Sequence, residues 1–468
     1  MPLAPLVPTD DIRAAFSGAM SEMYRTEVPQ YGTLMELVAE VNGEALAADL
    51  DLKAQLERAG ELDRLSDERH GAIRLGTAEE LAFMARLFAV MGMHPVGYYD
   101  LSVAGIPVHS TAFRPVDDAA LARNPFRVFT SLLRLDLIEE EALREEASAI
   151  LANRSIFTPR AVELVELAEN KGGLTASEAK DFVAEAVETF RWHSEATVSR
   201  ETYQRLADIH RLIADVVCFK GPHINHLTPR TLDIETVQRR MPERGIAPKA
   251  VIEGPPQRDC PLLLRQTSFK ALEEPILFLS ETGHEPGSHT ARFGEIEQRG
   301  AALTPEGRAR YDTLLAEARA AAMVDAKGEG AKDYETALLE SFSGFPDDHE
   351  TMRREKLGYF RYAPTEAGLT AARSGGFETD LDALVATGHV TADPIVYEDF
   401  LPVSAAGIFQ SNLGTDAQSN AGASGNKAEF EAALGRSVID EFALYSEAEA
   451  RSIEATRQAL RSARTDAA

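Results

Sequence analysis

The chain has 468 residues, of which 44% are hydrophobic and 26% charged, a composition typical of soluble globular proteins with room for two or three domain-sized units. Acidic residues outnumber basic ones by 75 to 48, and the formal net charge is -27. Nucleic acid and anionic membranes are therefore disfavoured as partners, because both need a cationic surface. The chain has two cysteines, no apolar signal core after a basic start and no run of roughly 20 apolar residues, which predicts a cytoplasmic protein without a membrane span.

Residues 1–65 are predicted to form helices, because hydrophobic side chains recur there at helical spacing. A first module follows at residues 66–138. Its opening strand, HGAIRLGT, leads to a helix that begins with a capping box made by Thr77 and Glu80. The segments PVGYYDL, IPVHSTAF and FRVFTSLLRLDL then predict three strands, the last ending near Ile138. The predicted order of elements is β-α-β-β-β.

Residues 139–215 predict a helical insertion, with a second capping box at Thr175 and Glu178. The β-α-β-β-β order then recurs at residues 216–300. The first strand is predicted as VVCFKGPHINHLT, the helix as residues 232–241, and the other strands as KAVIEG, PLLLRQTSFKAL and TARFGEIEQRG. This repeat is one of element order, with almost no residue identity between its halves, and it predicts an α+β fold of two paired modules.

The rest of the chain is predicted as a helical region at residues 301–395 and a C-terminal part at residues 396–468. Within them, LGYFRYA and PIVYEDFLPVSAAGIF have the character of late strands. Residues 411–426 are small and polar and predict a loop. A helix from about Ala428 follows.

Two histidines and one glutamate occupy distinctive places in the two modules. His70 lies on the first predicted strand of the first module, His226 on the first strand of the second, and Glu295 on the last strand of the second. Two neutral imidazoles and a carboxylate, presented by sheets that curl toward each other, are the facial triad that non-haem Fe(II) prefers. An isolated strand histidine is more often structural, but the joint placement of all three favours a metal centre.

Side chains alternate between the two faces of a strand. This alternation leaves open which glutamate binds the metal, but it limits the histidine ligands from the first strand of the second module to one. Glu295 and Glu297 share a face, so either could be the ligand, and an ion pair between Glu297 and Arg299 is the alternative role for the second glutamate. His223 and His226 point to opposite faces, so we expect only one of them to reach the metal.

Arg74 shares a strand face with His70 and lies roughly 13 Å further along the strand, at about 3.3 Å per residue. A guanidinium in that position suits the far carboxylate of a metal-bound acid. A solvated strand charge is the alternative. His289 lies in a turn-rich segment, where a surface or supporting role is expected, and Trp192 is expected to serve in packing.

At HGAIRLGT, HINHLTPR, RFGEIEQRG and FLPVSAAGIF, the chain resembles the bacterial 2-oxoadipate dioxygenase/decarboxylase family, and the resemblance runs through nearly the whole chain. That family belongs to the vicinal oxygen chelate superfamily, so the resemblance implies paired modules that form a half-barrel. It implies Fe(II) as the cofactor, with His70, His226 and Glu295 as its ligands. Glu297 is the fallback ligand if the alignment slips by two residues.

The resemblance also implies how the substrate is held and converted. The implied substrate contacts are His70, Arg74, His226, Val403 and Ser404. A 2-oxo acid would bind the metal through its carboxylate and keto oxygen, O2 would react at the keto carbon, and loss of CO2 would accompany hydroxylation of the shortened acid. For 2-oxoadipate the products would be D-2-hydroxyglutarate and CO2, as in lysine breakdown.

Two other classes of function are compatible with the same architecture. Metal-dependent isomerases or lyases of the glyoxalase type use Zn or Ni without O2 and usually need a fourth protein ligand. The segment FRVFTSLLRLDL offers neither His nor Glu for that purpose, which favours an open-sited oxygenase. A non-catalytic protein that binds a small molecule is the other class, and Arg74 together with an intact triad argues against it.

Overall fold

Helices at the N-terminus hold together parts of the second module. The computed structural model describes residues 4–269, 271–322, 330–374, 380–401 and 423–465. The first helices are α1 (Thr9–Glu27), α2 (Pro29–Ala48) and α3 (Leu50–Arg58). The hydroxyl oxygen of Tyr24, buried on α1, lies 3.0 and 2.7 Å from the backbone carbonyl oxygens of Asn225 and Phe293, which share its single proton. It therefore fixes two segments that lie far apart in sequence, each one or two residues before a candidate metal ligand.

The first module has the predicted order of strands and helix. Its elements are β1 (Arg69–Leu75), α4 (Ala78–Ala89), β2 (His94–Asp100), β3 (Val108–Arg114), the short α5 (Asp118–Arg123) and β4 (Arg127–Leu133). The predicted capping box is confirmed, since the backbone N–H of Glu80 donates to Thr77 Oγ1 at 3.2 Å and the Glu80 carboxylate accepts from the backbone of Thr77. The last strand ends at Leu133, because a 3-10 turn at Leu135–Leu137 precedes Ile138.

The insertion is predicted to be helical, but in the structure it also contains one strand. Its elements are α6 (Glu141–Ala152), α7 (Pro159–Lys171), α8 (Ala176–Glu188), β5 (Glu195–Ser199), α9 (Arg200–Ile209) and α10 (Arg211–Val217). The capping box of Thr175 and Glu178 at the start of α8 is confirmed. The strand β5 forms because residues 195–199 find a partner in a hairpin of the second module, which local sequence does not reveal.

The second module departs from prediction in two places. Its elements are β6 (Leu227–Pro229), α11 (Ile234–Arg240), β7 (Leu264–Ser268), β8 (Glu273–Ser280), β9 (Gly283–Thr290) and β10 (Glu295–Arg299). The first strand is much shorter than VVCFKGPHINHLT, because α10 takes up its start and Pro222 has no N–H to donate. An unpredicted hairpin, β8–β9, pairs with β5. It takes up Thr290, so the strand predicted as TARFGEIEQRG begins only at Glu295.

The two modules meet at a seam where β1 pairs with β6. On each side of this seam, the first strand of the module lies next to its last strand. Five strands pair in the order β2-β3-β4-β1-β6, with β1 parallel to β4 and antiparallel to β6. A parallel bridge between Arg230 and Glu297 connects the end of β6 to β10, which pairs antiparallel with β7. The segment KAVIEG forms only one isolated bridge, from Glu253 to Gln266, instead of the predicted strand. In each module the first strand therefore lies parallel to the last, which confirms the paired-module prediction.

The C-terminal third packs around its own hydrophobic core. Its elements are α12 (Pro305–Ala321), α13 (Ala331–Phe342), α14 (His349–Arg354), β11 (Phe360–Pro364), α15 (Glu366–Arg373), α16 (Leu381–Ala386), β12 (Val390–Pro394), α17 (Ala423–Leu434) and α18 (Glu441–Thr465). Of the strand predicted from residue 394 onward, residues 395–401 form only an isolated antiparallel bridge between Val396 and Ala301, and beyond it the carbonyls of Tyr397 and Asp399 accept from Arg299 Nη1 instead of a neighbouring strand. Val403 and Ser404 lie outside the described residues. None of the described helices is both long and apolar enough to cross a membrane.

Candidate metal centre

Three buried side chains from distant parts of the chain meet near the seam between the modules. Nε2 of His70 lies 3.2 Å, and Nε2 of His226 lies 3.5 Å, from Oε2 of Glu295. One ligand atom from each residue lies within 4.8 Å of the other two, and no other group of His, Cys, Asp and Glu among the described residues has this spacing. All three side chains are 0% exposed. The donor set is one that holds a divalent transition metal.

Two glycines allow the chain segments of the site to approach so closely. A Cβ atom on Gly71 of β1 would lie 2.4 Å from Cδ1 of Ile224 and 2.9 Å from the carbonyl oxygen of His226. A Cβ atom on Gly294 would lie 1.9 Å from the ring of Phe269. Because such distances are forbidden to real side chains, glycine is required where the segment before β6 crosses β1 and where β10 begins.

The carboxylate of Glu295 is oriented by two uncharged donors. Thr228 Oγ1 donates to Oε2 of Glu295 at 2.8 Å, and Gln266 Nε2 donates to the same oxygen at 3.2 Å. The other oxygen, Oε1, is buried without a hydrogen-bond partner. Burial raises the pKa of Glu295, while its contact with His70 acts in the opposite direction.

His226 is an uncharged imidazole with unused hydrogen-bonding capacity. Neither of its ring nitrogens has a hydrogen-bond partner, although the side chain is fully buried. Burial lowers its pKa well below the usual value, and the positive charges of His70 and Arg74 lower it further. A buried polar group without a partner is costly, and the neutral imidazole is the form that binds a metal. Both facts suit a ligand role.

Glu295 and Glu297 approach different nitrogens of the His70 ring, Glu295 at Nε2 and Glu297 at Nδ1. Oε2 of Glu297 lies 3.0 Å from Nδ1 of His70, and its carboxylate accepts two hydrogen bonds from Arg299 at 2.8 and 3.0 Å. Burial acts to raise the pKa of Glu297, but Arg299, His70 and Arg127 lower it to about 2. Burial likewise acts to lower the pKa of His70, but the two glutamates outweigh it and the pKa is raised. The ion pair between Glu297 and Arg299, one of the two predicted alternatives, is present.

A network of buried ion pairs lies behind Glu297, and sequence analysis did not predict it. Its central carboxylate, Glu68, is 2.8 Å from Arg127, 3.1 Å from Arg230 and 3.5 Å from Arg299. Burial acts to raise the pKa of Glu68, but Arg230 and the neighbouring guanidiniums lower it well below its usual value. The available signal was the presence of arginines within or beside predicted buried strands, since such charges are rarely buried unless paired.

Aromatic rings line the site and make it apolar around the ligand atoms. The ring of Phe400 lies 4.9 Å from the ring of His70, and the ring of Phe293 lies 4.9 Å from that of His226. Phe129 packs against Phe400 at 5.4 Å. These contacts leave little room for bulk water beside the imidazoles, so charges and dipoles act strongly there.

Arg74 is held by a carboxylate that sequence analysis did not single out. Nη1 of Arg74 donates to Oδ2 of Asp215 at 2.6 Å, and both side chains are about nine-tenths buried. The alternative of a solvated strand charge is therefore wrong for Arg74. His223 lies 3.4 Å from Oδ1 of Asp215, in this second cluster rather than among the three candidate ligands. His289 contacts the same oxygen at 2.9 Å.

Comparison with known proteins gives matches over nearly the full chain. The sequence model of the 2-oxoadipate dioxygenase/decarboxylase family matches residues 16–412. A 2-oxoadipate dioxygenase/decarboxylase from Pseudomonas putida is 60% identical over 460 residues, covering 98% of this chain and 99% of the relative. The protein of the same name from Escherichia coli is 58% identical over 450 residues, covering 96% and 98%.

A solved structure agrees in fold over the same extent. The crystal structure of the hydroxyglutarate synthase from Pseudomonas putida in complex with 2-oxoadipate is similar to this chain with a TM-score of 0.90 and 58% sequence identity, covering 97% of this chain and 99% of that one. These matches confirm the resemblance that four sequence motifs predicted. The chain therefore belongs to the 2-oxoadipate dioxygenase/decarboxylase family.

Proposed function

We propose that this protein is an Fe(II)-dependent enzyme that converts 2-oxoadipate and O2 to D-2-hydroxyglutarate and CO2, in the cytoplasm and as a step of lysine breakdown. The observation that carries the proposal is the meeting of His70, His226 and Glu295 at one buried point in a member of this family. Substrate and product balance without an external reductant, because 2-oxoadipate and O2 contain the same atoms as 2-hydroxyglutarate and CO2.

The residues present fit a divalent metal ion. Both ring nitrogens of His226 and Oε1 of Glu295 are buried without a hydrogen-bond partner, and a cation would satisfy one of these nitrogens together with the carboxylate. We assign Nε2 of His70, one ring nitrogen of His226 and the carboxylate of Glu295 as the ligands. Three protein ligands leave positions for a chelating 2-oxo acid and O2. Bound Fe(II) supplies the redox chemistry that couples loss of CO2 to consumption of O2.

The surrounding residues orient the ligands and keep the site dry. Oε2 of Glu297 lies 3.0 Å from Nδ1 of His70, and a carboxylate there favours a proton on Nδ1, which leaves Nε2 of that ring to face the metal. Thr228 and Gln266 hold Oε2 of Glu295 through hydrogen bonds. The phenylalanine rings beside both imidazoles exclude bulk water and so limit side reactions of the activated substrate.

Arg74 is proposed to bind the far carboxylate of the substrate. It lies on the same strand face as His70, roughly 13 Å along β1, a gap that a metal-bound dicarboxylic acid and a long arginine side chain together can close. Val403 and Ser404 are proposed as further substrate contacts on the strength of the family motif alone. A buried charged contact of this kind discriminates strongly against acids that lack the second carboxylate.

One experiment separates this proposal from the two alternatives. Protein loaded anaerobically with Fe(II) and mixed with 2-oxoadipate is exposed to air, and O2 uptake, CO2 release and the enantiomer of the product are measured. The proposal expects equal amounts of O2 consumed, CO2 released and D-2-hydroxyglutarate formed. Binding of 2-oxoadipate without O2 uptake would instead favour a non-catalytic binding protein. An isomerised product formed without O2 would favour the glyoxalase-type class.

A further inference from the structure

We propose that Asp215 is the positioning residue of Arg74, and that it sets the preference of the enzyme for 2-oxo acids with a second carboxylate. This inference rests on the proposed function, in which Arg74 binds that carboxylate. It assigns a role to parts of the chain that lie outside the strands of the half-barrel.

The contact between Arg74 and Asp215 is short, charged and largely removed from water. Nη1 of Arg74 donates to Oδ2 of Asp215 at 2.6 Å, with 11% and 8% of the two side chains exposed. Charge-assisted hydrogen bonds of this kind are among the strongest in proteins. A guanidinium carries five N–H donors, so the same arginine can hold Asp215 and a substrate carboxylate together.

Asp215 is itself anchored on the side away from Arg74. Nε2 of His289 lies 2.9 Å from Oδ1 of Asp215, and Nδ1 of His289 lies 2.7 Å from the hydroxyl oxygen of Tyr203. If the tyrosine donates to Nδ1, the remaining ring proton is on Nε2 and is donated to the carboxylate. The Trp192 ring lies parallel to the His289 ring, 6.1 Å away. The side chains of Tyr203, His289, Asp215 and Arg74 thus form a row in which each is held by its neighbour.

The members of this row come from the two additions to the paired modules. Asp215 lies on α10 and Tyr203 on α9, both in or at the end of the insertion, while His289 lies on the unpredicted hairpin strand β9. Only Arg74 belongs to a half-barrel strand. A long arginine side chain loses much rotamer freedom when it is ordered, and a partner that orders it beforehand reduces that cost for the substrate. The additions therefore form the wall that fixes the far end of the substrate.

The test compares 2-oxoadipate with 2-oxohexanoate, which has the same carbon chain without the far carboxylate. For Asp215→Ala we expect the ratio of kcat/KM between the two acids to fall at least tenfold, mainly through a higher KM for 2-oxoadipate. Asp215→Asn retains an oxygen that accepts from Arg74 and should keep the ratio within about threefold of wild type. Asp208→Asn, on an exposed residue of α9, is the matched control and should leave the ratio unchanged.

An equal loss of kcat/KM on both acids in Asp215→Ala, with the ratio intact, would show a merely structural role and overturn the inference. If that variant does not fold, Tyr203→Phe decides the matter. It removes one hydroxyl group, and the inference expects a smaller fall in the same ratio, whereas an unchanged ratio would contradict it. Wild-type protein that consumes no O2 with 2-oxoadipate would overturn the proposed function itself, so the two failures are distinguishable.

Discussion

The role of Glu297 in holding a metal ligand can be tested by Glu297→Gln. In the native protein its ionised carboxylate lies 3.0 Å from Nδ1 of His70 and accepts from two nitrogens of Arg299 at 2.8 and 3.0 Å. The amide of glutamine has a single acceptor oxygen, and its NH2 group must then face either the imidazole N–H or the guanidinium. One buried donor therefore loses its partner, and His70 loses the charge that orients its ring and raises its basicity.

The expected effect follows from what such partners contribute elsewhere. Replacing a residue that hydrogen-bonds a metal-ligating histidine lowers metal affinity roughly 10- to 100-fold, which corresponds to about 1.4 to 2.8 kcal/mol. The assay is an anaerobic titration with Co(II) against a coloured chelator, which reports affinity without turnover. Glu274→Gln is the control, because Glu274 is also a mostly buried carboxylate but pairs with Arg292. An affinity in Glu297→Gln within about twofold of wild type would show that Glu297 does not support metal binding by His70.

Three further predictions concern the ligands, the substrate and acid stability. His226→Ala should abolish retention of Fe(II), measured by metal analysis after desalting, and retained stoichiometric iron would remove that residue from the ligand set. Arg74→Ala should lower kcat/KM for 2-oxoadipate by a factor that corresponds to about 2 to 5 kcal/mol of lost binding free energy, and it should barely change kcat/KM for 2-oxohexanoate. An unchanged kcat/KM for 2-oxoadipate would show that Arg74 does not bind the far carboxylate. Burial acts to raise the pKa of Glu398, but adjacent guanidiniums hold it at about 2, against 4.5 as the usual value. Its contribution to stability is therefore complete above pH 4.5 and is lost as the pH falls toward 2. The stability gap between wild type and Glu398→Gln in urea unfolding should shrink over that range, and a constant gap would contradict it.

Regular strands allowed the strongest predictions, because their side chains alternate with a fixed period. His70 and Glu295 lie in strands that the pattern located, and the alternation placed Glu297 on the same face as Glu295. The structure then separates the two glutamates, since each faces a different nitrogen of the same imidazole. The alternation of side chains along a strand does not tell which imidazole nitrogen each carboxylate approaches. Only the tertiary structure distinguishes the surroundings of Glu295 from those of Glu297.

His226 lies beside His70 and Glu295, but the predicted strand is not what positions it. The strand expected around it is only three residues long and begins just after it, while the histidine itself is positioned by the crossing of its segment over Gly71. That close approach depends on the absence of a side chain, which a pattern of apolar residues does not report. Asp215 and the hairpin β8–β9 escaped prediction for a related reason. Their roles arise from contacts between segments far apart in the sequence.

The most direct test is diffraction at the iron absorption edge from crystals of the Fe(II)-loaded protein, grown without O2. We predict a single strong anomalous peak within bonding distance of a ring nitrogen of His70, a ring nitrogen of His226 and a carboxylate oxygen of Glu295, with no fourth protein ligand. A peak elsewhere in the molecule, or a fourth protein side chain bound to the metal, would contradict it.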